Sequence, residues 1–142
     1  PLRTKNDNNA LIKGLKDGTI DVICTDHSPR TDEHKKIEFD NAANGIIGLE
    51  TAFGLLGKYI LPDIDLDIII QKISINPRKI LNLKKILIKE KEYANITLFN
   101  PEKEWTFTTK DIKSKSLNTP FIGQTLKGKA LAIYNNGQFK EC

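Results

Sequence analysis

The residues with the clearest chemical potential are Asp26 and His27, which follow a short apolar run at positions 20–25. A carboxylate can move a proton or bind a cation, and an imidazole can do the same or hold a hydrogen bond. The run is rich in β-branched residues, so it predicts a strand. Alternation along that strand places on one side Ile20, Val22, Cys24 and Asp26. The carboxylate is therefore expected at the carboxyl end of a strand, where α/β enzymes gather catalytic groups.

Spacing alone leaves a plainer interpretation of this pair open. Asp26 can cap the turn that leads to Pro29. His27 has the opposite strand parity, so the two residues cannot ligate one metal ion without a bend, and we expect a hydrogen-bonded structural role for His27. A zinc site made by Asp26, His27 and His34 would match no closed pattern of ligand spacing. The residues by themselves predict one candidate carboxylate and no complete metal site.

Three other features offer weaker chemistry. Cys24 lies in the predicted strand, where we expect a small buried side chain, and neither it nor Cys142 has a nearby His to activate it. Gly45 and Gly48 precede a helix and could cradle an anion, but close packing explains the same spacing. Glu50 is expected in the first turn of that helix, where the helix dipole favours negative charge. None of these features predicts a site.

The elements that position these residues follow from hydrophobic periodicity and from Gly and Pro. Helices are predicted at residues 4–16 and 48–60, at 66–74 behind Asp65 as N-cap, and from Asn76, with Asn76 as N-cap and Pro77 in the first position. A long loop is predicted over residues 28–44. The helix, glycine and strand that open the chain are typical of an α/β unit in a parallel sheet.

The last third of the chain is predicted to be rich in β-structure. Strands are expected at 94–99, 105–108 and 129–134, with a turn at Asn100-Pro101 and a hairpin at Asn136-Gly137. We place the domain boundary near residues 86–93. The predicted domains are residues 1–88, which hold the helices and the 20–25 strand, and residues 89–142, which hold the β-rich segment.

Composition bounds the class of protein. The chain has 142 residues, of which 39% are hydrophobic and 28% charged, and it contains no 18-residue apolar run. Residues 1–9 lack the apolar core of a signal peptide and the two cysteines are far apart, so we expect a cytoplasmic protein. A complete (β/α)₈ barrel needs about 250 residues, so a barrel signature here would come from part of one.

The charge distribution argues against nucleic acid. The net charge is +4, yet residues 26–50 carry three basic and six acidic residues, which repels phosphate. Residues 76–91 carry six basic residues and one acidic residue, but no aromatic residue interleaves them as base stacking requires. We therefore interpret the basic stretch as a solvated lysine-rich surface, and we expect no membrane or nucleic-acid partner.

Eight short motifs lie along the chain in a distinctive order. They are P-L-R at 1–3, D-G-T-I-D-V-I at 17–23, T-D-H-S-P at 25–29, G-I-I-G-L-E-T at 45–51, A-N-I-T-L-F-N-P at 94–101, S-K-S at 114–116, N-T-P-F-I-G at 118–123 and L-K-G-K at 126–129. This combination resembles the last third of dihydroorotases, cyclic amidohydrolases of the amidohydrolase superfamily. The motifs at 114–123 favour a dihydroorotase over an allantoinase or a dihydropyrimidinase.

The resemblance implies an α/β fold: the C-terminal part of a metal-dependent (β/α)₈ TIM barrel, followed by strands of a small composite β-sandwich. It implies zinc-dependent, reversible hydrolysis of the cyclic amide of dihydroorotate to N-carbamoyl-aspartate, in de novo pyrimidine biosynthesis. Asp26 matches the metal-binding catalytic carboxylate that transfers the proton. Arg30 stands where the family often has a substrate-binding His. Asn44 and Gly45 stand where the family has a Pro-Phe-Gly main-chain substrate contact, of which only the glycine is preserved. Two zinc ions are expected in the full-length parent.

The same resemblance leaves alternatives open. The family's other metal ligands, a His-x-His motif, a carboxylated Lys and two His, precede the matched region, so we expect this chain to be a piece of a longer enzyme and inactive alone. Because Arg30 departs from the family pattern, a catalytically silent subunit that assembles with aspartate transcarbamoylase is one alternative. An allantoinase- or dihydropyrimidinase-type hydrolase is another. A small-molecule substrate and homodimerisation are the remaining partner hypotheses.

Overall fold

The computed structural model describes residues 3–142, so Pro1 and Leu2 of the first motif lie outside the described residues. Helices occupy the first part of the chain: α1 (Lys5–Asp17), α2 (Asp32–Lys35), α3 (Ala52–Tyr59), α4 (Leu66–Ile70), a π-helical turn (Gln71–Ile75) and α5 (Asn76–Ile80). An antiparallel sheet follows, formed in the order β1 (Ile96–Thr106), β2 (Thr125–Asn135) and β3 (Gln138–Glu141). A single 3₁₀ turn, Thr109–Asp111, follows β1.

Helix α1 confirms the first predicted helix, and its ends have local causes. The Thr4 hydroxyl accepts a hydrogen bond from the Asp7 main-chain nitrogen at 3.2 Å, and the Asp7 carboxylate accepts one from the Thr4 nitrogen at 2.9 Å. Gly18 ends the helix at φ 86°, a conformation that suits glycine. The buried core beneath the helix is formed by Leu15, Ile64 and Ile69. Helix α1 is thereby fixed against α4.

The predicted strand over residues 20–25 does not form within the described residues. The segment is extended, but its main chain bonds to helices: the Ile20 nitrogen donates to the Gly14 oxygen at 2.9 Å, and the Ile23 nitrogen to the Lys72 oxygen at 3.2 Å. The nearest sheet-like pairing is one isolated parallel bridge between His27 and Ile46. No neighbouring strand from residues 3–142 lies alongside the segment, and Cys24, expected to be buried, is therefore exposed.

The later helices differ from prediction at their ends. Helix α3 begins at Ala52 rather than near residue 48, so Glu50 precedes the helix and does not occupy its first turn. Asp65 stands at the N-cap of α4, as predicted, but its side chain makes no capping hydrogen bond. Asn76 is not a cap: the π-helical turn runs directly into α5, and the Asn76 amide donates instead to the Asp21 carbonyl at 3.0 Å. The predicted loop 28–44 contains the short helix α2.

The β-rich tail is confirmed, with one correction. Strand β1 runs through the predicted turn at Asn100-Pro101, because a register shift between Asn100 and Glu104 absorbs the extra residues as a bulge. The predicted hairpin joins β2 to β3, with Asn136 at φ 49° and Gly137 at φ 75°, which is typical of a type I′ turn. No helix within residues 3–142 has the length and apolar character needed to cross a membrane.

Helix α3 packs against β2 and joins the helical part to the sheet. An added Cβ at Gly57 would lie 1.8 Å from the Lys127 carbonyl oxygen, and one at Gly54 would lie 2.9 Å from Leu126 Cβ. Only glycine permits so close an approach of helix and strand. Leu126 and Phe107 are fully buried in the sheet's core. Residues 1–88 and 89–142, whose division into domains stays a prediction, therefore share this helix–sheet contact.

Candidate functional site

Asp26 lies where the extended segment turns. Its φ of 47° is in the left-handed region, which Asp tolerates better than most residues do. Strand alternation therefore stops at Thr25, and the parity argument does not extend to Asp26. Asp26 is exposed, and its carboxylate makes no hydrogen bond or ion pair with any other residue in 3–142. The oxygen atoms are free to accept a proton or a cation.

His27 anchors the turn that carries Asp26. Its Nδ1 atom accepts hydrogen bonds from the main-chain nitrogens of Gly48, at 3.1 Å, and Leu49, at 3.3 Å. An accepting Nδ1 places the ring proton on Nε2. The predicted structural role of His27 is confirmed. The Gly48 N–H is already bound to His27, and a Cβ added at Gly48 would lie 3.0 Å from the Thr25 carbonyl oxygen. Close packing therefore explains this glycine better than an anion cradle does.

Arg30, Asn44 and Gly45, the residues that the resemblance implies for substrate binding, lie close together. The Arg30 Nε atom donates to the Asn44 carbonyl at 3.3 Å, and the terminal guanidinium nitrogens make no hydrogen bond or ion pair within residues 3–142. Gly45 has φ 103°, and a Cβ there would lie 2.5 Å from Ser28 Cβ. Only glycine fits this position. An exposed guanidinium therefore stands beside a closely packed loop, four residues after Asp26.

Two residues that the sequence alone did not single out hold these loops in place. The Asn118 amide nitrogen donates to the carbonyls of Ser28, at 3.2 Å, and Gly45, at 3.1 Å, while its oxygen accepts from the Arg30 main-chain nitrogen at 3.3 Å. The buried Ser116 hydroxyl contacts the Arg30 main-chain oxygen and the Asn118 side-chain oxygen. The contacts that Asn118 and Ser116 make with residues 28–45 span 73 to 90 positions, so no local pattern reveals them. The S-x-N spacing within the 114–123 motifs is the one available clue.

The loop at residues 43–45 has a further cationic contact. The Lys35 Nζ atom donates to the carbonyls of Ala43, at 2.8 Å, and Gly45, at 3.2 Å. Lys35 is partly buried, whereas its neighbour Lys36 is exposed and pairs with Asp32 on the same short helix. Lys35 thus faces the site and Lys36 faces away from it.

The comparison with known proteins decides the family. The sequence model of the amidohydrolase family matches residues 2–139. The chain belongs to the amidohydrolase family. Among its relatives, a dihydroorotase of Chlorobaculum tepidum is 46% identical over 97% of the chain, and a dihydroorotase of Clostridioides difficile is 44% identical over the same share. The chain covers 32% and 33% of these two proteins, so it spans about a third of their length.

A solved amidohydrolase structure agrees with the fold. The D-hydantoinase (dihydropyrimidinase) from Thermus sp. aligns with 99% of this chain at a TM-score of 0.80 and 26% identity, and the chain covers 34% of it. The resemblance to dihydroorotases is confirmed. So is the predicted fold class, a mixed α/β chain that corresponds to part of an amidohydrolase TIM barrel and carries an antiparallel β-segment.

Amidohydrolases are generally metal-dependent, and Asp26 fits one position in such a centre. A carboxylate oxygen is a ligand that zinc accepts. Within residues 3–142, however, no group of three or more His, Cys, Asp or Glu side chains is arranged to hold a metal ion. His34, the third residue of the zinc site considered with Asp26 and His27, lies on α2 with its Nδ1 atom 3.0 Å from the Thr31 hydroxyl. The donor chemistry of Asp26 therefore fits a single ligand of a larger centre.

Glu50 connects the candidate site to the sheet side of the molecule. Its Oε1 atom accepts hydrogen bonds from the main-chain nitrogens of Lys113, at 3.2 Å, and Ser114, at 2.8 Å, and from the Ser114 hydroxyl. Burial acts to raise the pKa of Glu50, but these hydrogen bonds outweigh it and hold the pKa below its ordinary value. Glu50 therefore does not have the role that we expected from the helix dipole. It anchors the segment that leads to Ser116.

Proposed function

We propose that this chain is part of a dihydroorotase, a hydrolase that opens the cyclic amide of dihydroorotate to N-carbamoyl-aspartate. One structural observation carries the proposal: a free Asp26 carboxylate lies four residues before Arg30, whose guanidinium is tied to the Asn44–Gly45 loop. A proton carrier and a carboxylate binder are thus placed close together in the chain. The relatives named dihydroorotase, at 44–46% identity, support the same substrate.

Each residue has a proposed part in the reaction. Water adds to the amide carbonyl carbon, the ring carbon–nitrogen bond breaks, and the Asp26 carboxylate takes the water's proton and passes it to the departing nitrogen. The two terminal nitrogens of Arg30 bind the substrate carboxylate in the bidentate geometry that a guanidinium favours. The main-chain N–H groups of Asn44 and Gly45 supply two further hydrogen-bond donors to the bound substrate.

Zinc is the proposed metal, with two ions in the full-length parent. When bound, it lowers the pKa of a water molecule and polarises the amide carbonyl. Asp26 is the residue of this chain that we propose as a ligand, and the remaining ligands are assigned to the rest of the protein. Consistent with this division, a single carboxylate cannot by itself hold a binuclear centre.

The unpaired segment over residues 20–26 has a place in the same proposal. Its backbone is extended, yet within residues 3–142 no strand lies beside it, and the chain spans about a third of its relatives. We assign this segment to the last barrel strand, paired with strands outside the chain, and residues 89–142 to a composite β-sandwich. A cytoplasmic location, pyrimidine biosynthesis, and assembly as a homodimer or with aspartate transcarbamoylase belong to the proposal as well.

The proposal is tested with the full-length, zinc-loaded protein. Hydrolysis of dihydroorotate, hydantoin, dihydrouracil and allantoin is compared at equal concentration. Dihydroorotate is expected to be the preferred substrate by kcat/KM, because only it offers a carboxylate to Arg30. Preference for hydantoin, dihydrouracil or allantoin would move the assignment to the hydantoinase or allantoinase type. Absence of turnover with all four rings would contradict the enzymatic assignment and favour the silent assembly subunit.

A further inference from the structure

Side chains hold three consecutive main-chain carbonyls of the loop at residues 43–45. The Ala43 carbonyl accepts a hydrogen bond from Lys35 Nζ at 2.8 Å, and the Asn44 carbonyl accepts one from Arg30 Nε at 3.3 Å. The Gly45 carbonyl accepts two, from Lys35 Nζ at 3.2 Å and from the Asn118 amide at 3.1 Å. Two of these donors are cations, and the third comes from a segment 73 positions further along the chain. Such complete capture fixes the orientation of each peptide plane in the loop.

This orientation sets the direction of the loop's N–H groups. In a trans peptide the C=O of one residue and the N–H of the next point to opposite sides. The Asn44 N–H therefore points away from Lys35, and the Gly45 N–H points away from the Arg30 Nε contact. Neither N–H donates a hydrogen bond to another residue within 3–142. The loop consequently offers two adjacent main-chain donors that no described residue occupies.

The charge around the loop also remains uncompensated. Lys35 and Arg30 form no ion pair with any described residue, whereas Lys36 is paired with Asp32 at 2.5 Å. Carbonyl oxygens carry no net charge, so their contacts with Lys35 and Arg30 do not compensate the charge of either cation. The free terminal nitrogens of Arg30 and the two free main-chain N–H groups are the kind of donors that a carboxylate requires, while Lys35 is engaged with the loop carbonyls.

We propose that Lys35 and Asn118 are positioning residues that hold Arg30 and the Asn44–Gly45 peptide ready for the substrate carboxylate. This inference rests on the proposed function, because it takes the carboxylate to be that of dihydroorotate. Lys35 and Asn118 touch the loop and not the substrate. Loss of either donor releases the peptide planes, so it weakens substrate binding more than it slows the chemical step at the ring amide.

The test uses the full-length, zinc-loaded protein and a matched pair of variants, Lys35→Met and Lys36→Met. Lys35→Met keeps the aliphatic stem but removes the ammonium and both of its hydrogen bonds to the loop, and KM for dihydroorotate is expected to rise about tenfold. The kcat is expected to stay close to that of the wild type. Lys36→Met removes an exposed neighbour and should leave KM unchanged, while Lys35→Arg should restore most of the binding.

Asn118→Ala provides an independent arm in case Lys35→Met does not fold. It removes the second donor to Gly45 without a change of charge, and it should raise KM in the same way. The dissociation constant for dihydroorotate, measured by calorimetry, accompanies the kinetics. If the wild type turns over dihydroorotate and the Lys35 and Asn118 variants bind it as tightly as Lys36→Met does, the positioning role is wrong and the proposed function stands. If the wild type binds dihydroorotate without turnover and the variants bind it more weakly, the positioning role stands and the proposed function is wrong.

Discussion

Glu50 and Ser114 join two parts of the chain that lie 64 positions apart, through a hydrogen bond of 2.8 Å from the Ser114 main-chain nitrogen to Glu50 Oε1. Glu50 stands just before α3, and Ser114 stands two residues before Ser116, which contacts the main chain of Arg30. The geometry of the candidate site therefore depends on a carboxylate that takes no part in the proposed chemistry.

Glu50→Gln tests this anchor. The amide keeps the shape of the side chain but loses the charge that strengthens three hydrogen bonds, so the full-length protein should lose about 1 kcal/mol of stability at pH 7. The measurement is the thermal unfolding midpoint. Glu90→Gln, which changes an exposed residue without a partner in the described part of the chain, is the control and should leave the midpoint unchanged.

The same anchor has a defined pH dependence. The folded-state pKa of Glu50 lies below its ordinary value of 4.5, so its stabilising contribution is present above pH 4.5 and is lost as the pH falls through the folded-state pKa. The difference in midpoint between the wild type and Glu50→Gln should therefore shrink as the pH is lowered below about 4.5. A difference that stays constant down to pH 3 would show that the charge of Glu50 is not involved.

His27 offers a test of the turn that carries Asp26. His27→Ala leaves the N–H groups of Gly48 and Leu49 without their acceptor, at a cost of about 1–2 kcal/mol. His27→Asn places a side-chain oxygen near the position of Nδ1 and should cost less. Thermal unfolding of both variants of the full-length protein checks the order. Equal midpoints for the two would mean that the acceptor atom does not matter.

Gly57→Ala tests the contact between α3 and β2. The added methyl would meet the Lys127 carbonyl at 1.8 Å, so helix and strand must separate, and we expect a loss of about 3 kcal/mol or more. Gly14→Ala is the matched control within another helix, because its nearest contact is the Ile20 side chain at 3.1 Å, which can shift. The loss there should be small, since alanine also favours the helix. Similar losses in urea unfolding would contradict the described packing.

Local chemistry made part of this structure predictable. Thr4 and Gly18 mark the ends of α1, and Asn136-Gly137 marks the hairpin, because caps and tight turns depend on the few residues that form them. The strand over residues 20–25 was predicted from composition, but a strand needs neighbours, and residues 3–142 provide none.

The candidate site likewise combines residues that the sequence points to with residues that only the folded structure reveals. The predicted end of the 20–25 strand singled out Asp26, and the resemblance to dihydroorotases singled out Arg30, Asn44 and Gly45. Neither gave a physical reason to choose Lys35 or Asn118, because their function lies in hydrogen bonds to main-chain carbonyls that only the folded chain brings near. Such contacts leave no periodicity in the sequence.

The isolated 142-residue chain is expected to hydrolyse no dihydroorotate, even with zinc added. Within residues 3–142 no cluster of three or more suitable side chains can hold a metal ion, so the water activation that the reaction needs has no support. Product formation is followed as N-carbamoyl-aspartate. Zinc-dependent turnover by the chain alone would contradict the assignment of the remaining ligands to the rest of the protein.

The role of Asp26 is tested most directly by Asp26→Asn in the full-length, zinc-loaded protein. The amide cannot carry the proton, so kcat for dihydroorotate should fall by about 10²–10⁴-fold relative to the wild type. Asp32→Asn, which alters an exposed carboxylate paired with Lys36, should retain wild-type turnover. If Asp26→Asn turns over dihydroorotate as fast as Asp32→Asn does, Asp26 is not the catalytic carboxylate and the account of this site is wrong.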